Sequence, residues 1–139
     1  VANIKQVQHR LEIKKINGFT FIDNAFNSNP VGCKRSLEVL SMMSGKRVIV
    51  TPGLVDLGKE EANENYVFGA YMKDRADNVI LVGEKNTEAI YRGLKDSGFD
   101  MDNVKVVNSE KEAFNEVYTK YSVKDTILLE NDLPDAFIH

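Results

Sequence analysis

Tryptophan is absent from this 139-residue chain, cysteine occurs once and histidine twice. One cysteine excludes an intrachain disulfide framework, and a lone thiol fits a reducing compartment. His9 and His139 stand at opposite ends of the sequence, so no His/Cys cluster has the spacing of metal ligands. There is no apolar run of 18 residues and no signal-peptide pattern, so the expected location is the cytoplasm, with no membrane partner. Two phosphate-binding loops, G-x-x-x-x-G-K-S/T and G-x-G-x-x-G, are also missing. No Ser-His-Asp arrangement has supportive spacing. Taken alone, the chain offers no machinery for transferring a nucleotide phosphate. A formal charge of -3, a pI near 5.4 and the lack of a Lys/Arg stripe argue against nucleic acid as a partner. A small molecule or another protein is the expected partner.

With 42% hydrophobic residues, the chain can bury one core and reads as a single domain, 1–139. It begins at Val1 rather than Met, and the expectation is a domain excised from a longer chain. Weak alternation from His9 to Ile13, an Asn17-Gly18 turn and the apolar run Phe19–Ile22 predict an N-terminal β-hairpin. Helical periodicity follows at 30–43, 60–76, 86–97 and 109–121, alternating with short apolar runs at 47–51, 78–82, 104–107 and 126–129. Those runs are β-branched or Leu-rich and nearly unbroken, as in strands covered on both faces. The pattern predicts an α/β fold: a Rossmann-like three-layer sandwich of about six mostly parallel strands. Cys33 shares a helix stripe with Leu37 and Leu40 and reads as a buried thiol. Phe114, Val117, Tyr118 and Tyr121 form a stripe that reads as core. Gly98 suits a helix stop, and Ser109 with Glu112 suits a capping box.

The stretch Phe19–Leu40, FTFIDNAFNSNPVGCKRSLEVL, carries the functional signal. A strand ends in Asp23-Asn24, a polar loop follows, and a helix begins at Pro30 with Asn29 placed to cap it. Asp23, Asn24, Asn27 and Asn29 therefore leave the carboxyl end of a strand, where open α/β sheets bind ligands. Turn chemistry alone also accounts for Asp and Asn in such a loop. In a parallel sheet the loops after every strand share one edge. That rim gathers Asp23, Asp56, Glu60, Glu130, Asp132 and Asp135 against Lys59 and Lys85. An acidic rim favours a cationic ligand such as an ammonium group, and solvated loop charge is the plain alternative.

IDNAFNSNP resembles the motif that opens the C-terminal domain of the Mur ligases, within the family closest to the branch that adds D-alanyl-D-alanine. His9-Arg10-Leu11-Glu12 is similar to the His-Arg pair at the linker into that domain, and TPGLVDLGKE at 51–60 resembles the branch's Gly-acidic-Leu-Gly-Glu loop. The resemblance implies part of an ATP-dependent amide ligase of peptidoglycan precursor synthesis. ATP and magnesium are then held mainly by a central domain, and this domain closes over the nucleotide. The substrate carboxylate becomes an acyl phosphate that an amine attacks, so the implied partners are a UDP-muramoyl peptide, an amino acid or dipeptide, and the N-terminal and central domains.

By resemblance, Arg10 is the linker arginine near the nucleotide phosphates, a catalytic and cofactor-binding role suited to an always-charged fork. Asp23 or Asn24 contacts the ribose. Asn27, Asn29, Asp56, Glu130 and Asp132 are candidates for binding the amine substrate. Two departures stand out: Asn24 where the family often has an acid, and Glu130-Asn131-Asp132-Leu133-Pro134-Asp135 where it has a Lys-Gly-Ser segment. A stand-alone Rossmann-like binding or regulatory module without catalysis is the other reading.

Overall fold

The computed structural model describes residues 12–24, 30–55 and 57–130. Strands β1 (Glu12–Ile16) and β2 (Phe19–Asn24) form an antiparallel hairpin, with Ile16 opposite Phe19. The turn residues Asn17 and Gly18 have φ of 53° and 84°. Asn-Gly meets this demand for two left-handed residues at little steric cost. Then come α1 (Pro30–Ser41), β3 (Arg47–Thr51), a 3-10 turn at Gly58–Glu60, α2 (Glu61–Tyr71) and β4 (Asn78–Val82). The chain continues through α3 (Glu88–Asp96), a 3-10 turn at Met101–Asn103, β5 (Val104–Val107), α4 (Glu110–Lys120) and β6 (Thr126–Glu130).

The sheet order is β1-β2-β6-β3-β4-β5, and every pairing except β1 with β2 is parallel. From β2 through β3 and β4 to β5 the chain advances in one direction across the sheet, and the connection from β5 to β6 returns. With right-handed crossovers the advancing helices cover one face and the returning helix the other. The core divides in that way. Ile22, Ile49, Leu81 and Leu128 pack with Cys33, Leu37 and Leu40 of α1, Phe68 of α2, and Ile90 and Leu94 of α3. Phe21, Val50, Ile80, Ile127 and Leu129 pack with Ala113, Phe114 and Val117 of α4. The Rossmann-like α/β sandwich expected from the sequence is present.

Helix ends follow local chemistry. Ser109 Oγ accepts from the Glu112 amide at 3.2 Å, while the Glu112 carboxylate reaches back one residue further, to the Asn108 amide at 2.7 Å. After α3, Gly98 at φ 89° lets its own N–H reach the Lys95 carbonyl and the Phe99 N–H reach that of Leu94, which closes the helix as a Schellman turn. Two helices stop short of their apolar patterns. α1 ends at Ser41: Met42 is 76% exposed, and Met43 packs against the core from the turn beyond the helix. α2 ends at Tyr71, and the turn beyond it places Asp74 at φ 69°, although Met72 and Ala76 are buried.

Helices α2 and α3 touch through glycine. A Cβ on Gly69 would lie 2.2 Å from the Ile90 carbonyl oxygen, and one on Gly93 would lie 2.1 Å from that of Tyr66. Alanine is the better helix former by about 1 kcal/mol, yet it would have to push two backbones apart, and overpacking costs about 1–3 kcal/mol or more. The steric effect should win. Gly93→Ala is expected to lower the urea unfolding midpoint, with a net loss of about 1–2 kcal/mol; an unchanged or higher midpoint would show that the two helices separate freely.

Candidate functional site

Asp23 and Asn24 are consecutive on a strand, so their side chains leave opposite faces of the sheet. Asp23 shares the α4 face with Phe21 and stands opposite Glu12 in the hairpin. Its side chain is 3% exposed and accepts a hydrogen bond from Lys14 Nζ at 2.9 Å. That hydrogen bond raises the Lys14 pKa above its ordinary value, against the opposing effect of burial. A second carboxylate, Glu12, stands 3.7 Å from the same ammonium.

Asn24 faces α1 and lies beside Glu130 in the parallel β2–β6 register. Its Nδ2 donates to both carboxylate oxygens of Glu130, at 2.9 and 2.6 Å, and is 3.4 Å from the Gly32 carbonyl. Three acceptors around one amide group leave only one sensible orientation for it. Ser36 Oγ lies 2.8 Å from Glu130 Oε1 and 2.9 Å from the Cys33 carbonyl. Its single proton serves one acceptor at a time.

Glu130 is 0% exposed. Burial pushes its carboxyl up to about 8, and the nearby charge of Asp23 adds to this, although donors on Ser36, Asn24 and Cys33 pull the other way. Among the described residues no cation contributes to its titration. The Cys33 thiol is raised as well, by burial first and by Glu130 second. A thiol held protonated in a core is inert as a nucleophile, in keeping with its stripe position.

The rim is thus less open than the loop sequence suggested. Glu130 lies under α1 and not at the surface, while Lys59, Glu60 and Lys85 are exposed. Arg10, Asn27, Asn29, Asp56, Asp132 and Asp135 lie outside the described residues. The structure also unites the two departures in the sequence, since Asn24 and Glu130 bond directly to each other.

Three participants were not singled out from the sequence. Lys14 could have been found as the same-face neighbour of Asp23 once the hairpin register was drawn. Ser36 reads as an ordinary helix residue until Glu130 is placed. Asn65, 3% exposed on α2, braces the loop after β3: its Oδ1 accepts from the Leu54 amide at 2.8 Å, and its Nδ2 donates to the Leu54 carbonyl at 3.0 Å and to that of Glu61 at 2.9 Å. A buried asparagine four residues into a helix was the available signal.

Among the described residues no group of three or more His, Cys, Asp or Glu could hold a metal ion, and no helix is long and apolar enough to cross a membrane. The geometry defines an α/β domain with a loop-bearing carboxyl edge, and comparison with known proteins supplies its family. Residues 9–130 match the Mur ligase glutamate ligase domain, and the chain belongs to that family. The UDP-N-acetylmuramoyl-tripeptide–D-alanyl-D-alanine ligase of Bacillus subtilis (strain 168) is 26% identical over 132 residues, which cover 92% of this chain and 28% of the relative. Two solved structures share the fold: MurF from Acinetobacter baumannii, with TM-score 0.72 and 20% identity, and MurF from Thermotoga maritima in complex with ADP, with TM-score 0.73 and 17% identity. Each of these alignments covers 94% of this chain and 29% of the other. The chain therefore spans under a third of the length of these relatives.

Glu130 makes stability depend on pH. Its folded pKa of about 8 lies above the ordinary value of 4.5, so the folded state keeps a proton that the unfolded chain releases between those limits. The associated stability is full below pH 4.5 and is lost as pH rises through 8, a change on the order of a few kcal/mol. Urea midpoints of the protein should fall from pH 5 to pH 8.5, and Glu130→Gln should flatten that slope. A Gln variant that keeps the full slope would assign the titration to another group.

Proposed function

We propose that this chain is the C-terminal domain of an ATP-dependent ligase of peptidoglycan precursor synthesis, closing over ATP and positioning an amine for attack on an acyl phosphate. The observation that supports this most is the strand–loop–helix junction at β2 and α1, where the family motif leaves the carboxyl edge of a parallel sheet. D-Alanyl-D-alanine is the amine in the curated relative, and it or another amino acid is the proposed substrate here. The acceptor is a UDP-muramoyl peptide.

In this reading the ligase works by placement and by stabilising charge at the phosphates. Arg10 lies near those phosphates and acts on charge that develops there. Between the two residues left open for the ribose, geometry favours Asp23. The amide hydrogens of Asn24 are directed at Glu130, whereas Asp23 is a carboxylate, which accepts from Lys14 and has lone pairs suited to a hydroxyl donor. Asn27 and Asn29 hold the amine or shape the loop beside it, with Asp56 and Asp132 supplying negative charge to its ammonium group. Glu130 takes part from below as a support, because its side chain is sealed from solvent. Magnesium would arrive with the nucleotide and be held largely by the rest of the ligase, since the described residues lack a metal cluster.

The roles separate kinetically. In the intact ligase, Arg10→Ala should lower kcat by about 100-fold or more, the scale of losing one transition-state donor, with little change in KM for the amine. Asn27→Ala and Asn29→Ala should mainly raise that KM, and Asp23→Ala should raise the KM for ATP. Equal small losses in all four, with unfolding midpoints falling in proportion, would make the loop structural and overturn the assignment. Calorimetry on residues 1–139 alone should show weak ATP binding or none, and tight magnesium-dependent binding would count against a nucleotide site shared with other domains.

A further inference from the structure

We propose that Asn24 and Glu130 are positioning residues that act as one pair: the two-pronged bond between them ties the carboxyl ends of β2 and β6 together under α1, and so fixes both points between which the loop 25–29 runs. Several observations converge on this. The two residues are 106 apart in sequence yet adjacent in register, and Asn24 Nδ2 reaches both Glu130 oxygens at 2.6 and 2.9 Å. The same amide nitrogen is 3.4 Å from the Gly32 carbonyl, and Ser36 Oγ is 2.8 Å from the same carboxylate. Asn24 thus holds the strand on one side of the loop and the helix on the other.

Among the described residues little else competes for the carboxylate. On β2, Asp23 turns to the opposite face, where it meets Lys14. On α1 the Cys33 thiol and the Ser36 hydroxyl meet the carboxylate, while Arg35 and Glu38 are exposed and Lys34 is half-buried over the Tyr71 ring. The end of β3 brings only Val50 and Thr51. A buried carboxylate with such neighbours depends on the amide beside it. The partnership has a polarity, with the donor at 24 and the acid at 130. Reversing both ends, acid at 24 and cation at 130, would also satisfy the site, whereas reversing one would not. With Glu130 largely protonated at pH 7, Asn24→Asp alone removes the amide donor and buries a charge that the wild-type pair lacks, and Glu130→Lys alone buries an ammonium for which the described residues offer no anion on that face.

The inference rests on the ligase reading only for the importance of the loop, and its test reads no catalysis. Residues 1–139 are compared as wild type, Asn24→Asp, Glu130→Lys and the double variant, by thermal unfolding at pH 7 and by the backbone amide NMR signals of residues 25–30. Each single variant should lower Tm by about 10 °C or more, or abolish cooperative unfolding. The double should regain more than half of that loss, and its loop signals should return toward the wild-type positions. A double variant that loses the sum of the two single losses, or that fails to fold, would overturn the pairing. Single variants that lose stability while their loop signals stay in place would overturn the positioning role.

Discussion

An acid sealed in the fold, with no cation beside it among the described residues, is the constraint around which the carboxyl edge of this domain's sheet is arranged. Glu130 ends the strand that fills the gap between β2 and β3, so its carboxylate sits where the hairpin, the returning strand and the first helix meet. Removing a carboxylate from water is costly unless donors replace the lost hydration. Here the donors are neutral: the Asn24 amide, the Ser36 hydroxyl and the Cys33 thiol. Neutral donors do not cancel burial, and the carboxyl accordingly titrates at about 8. The same group therefore joins three elements and makes their junction sensitive to pH.

Topology explains why this junction coincides with the loop that carries the family motif. Because β6 is the last strand yet inserts beside β2, a residue at the end of the chain's path is brought against one near its beginning. The return from β5 requires α4 to cross the opposite face, which leaves the β2–β6 seam covered on one side by α1 alone of the three advancing helices. A change at either residue of the seam is then felt at the other. The two departures from the family pattern lie on this seam, and they bond to each other instead of facing solvent.

Much of the fold was legible because each signal was local. Asn17-Gly18 announced a hairpin turn, the unbroken apolar runs announced covered strands, and Ser109 and Gly98 announced helix ends. The misjudged helix ends share a physical cause. Periodicity counts an apolar residue as inward and helical wherever it falls, so Met42, which is exposed, and Met43, which reaches the core from a turn, extended α1, and Met72 and Ala76 extended α2 across a turn that buries them without helical backbone. The candidate site was legible to a lesser degree. The positions Asp23 and Asn24 could be marked as strand-end residues, but their opposite faces and their partners Lys14 and Glu130 depend on register and strand order, which are long-range properties. Ser36 and Asn65 had no motif at all, since a polar side chain inside a helix shows its purpose only once the group it satisfies has been placed.

The electrostatics of the rim change once those partners are known. The six acids singled out from the sequence stand against two lysines. In the fold Asp23 is matched by Lys14, and Glu130 is buried with a pKa near neutrality, so neither projects a full negative charge into solvent. Among the described residues of the edge Glu60 and Glu84 are exposed acids, with Lys59 beside the first and Lys85 beside the second. Those four charges, two of each sign, make no strong field of one sign, and steering of an ammonium group over a distance needs such a field. Under the proposed function, selection of an amine would therefore fall to short-range contacts rather than to a field spread over the described part of this edge. On that reading the placing of the loop ends, and hence the seam between Asn24 and Glu130, would matter more than the net acidity of the rim.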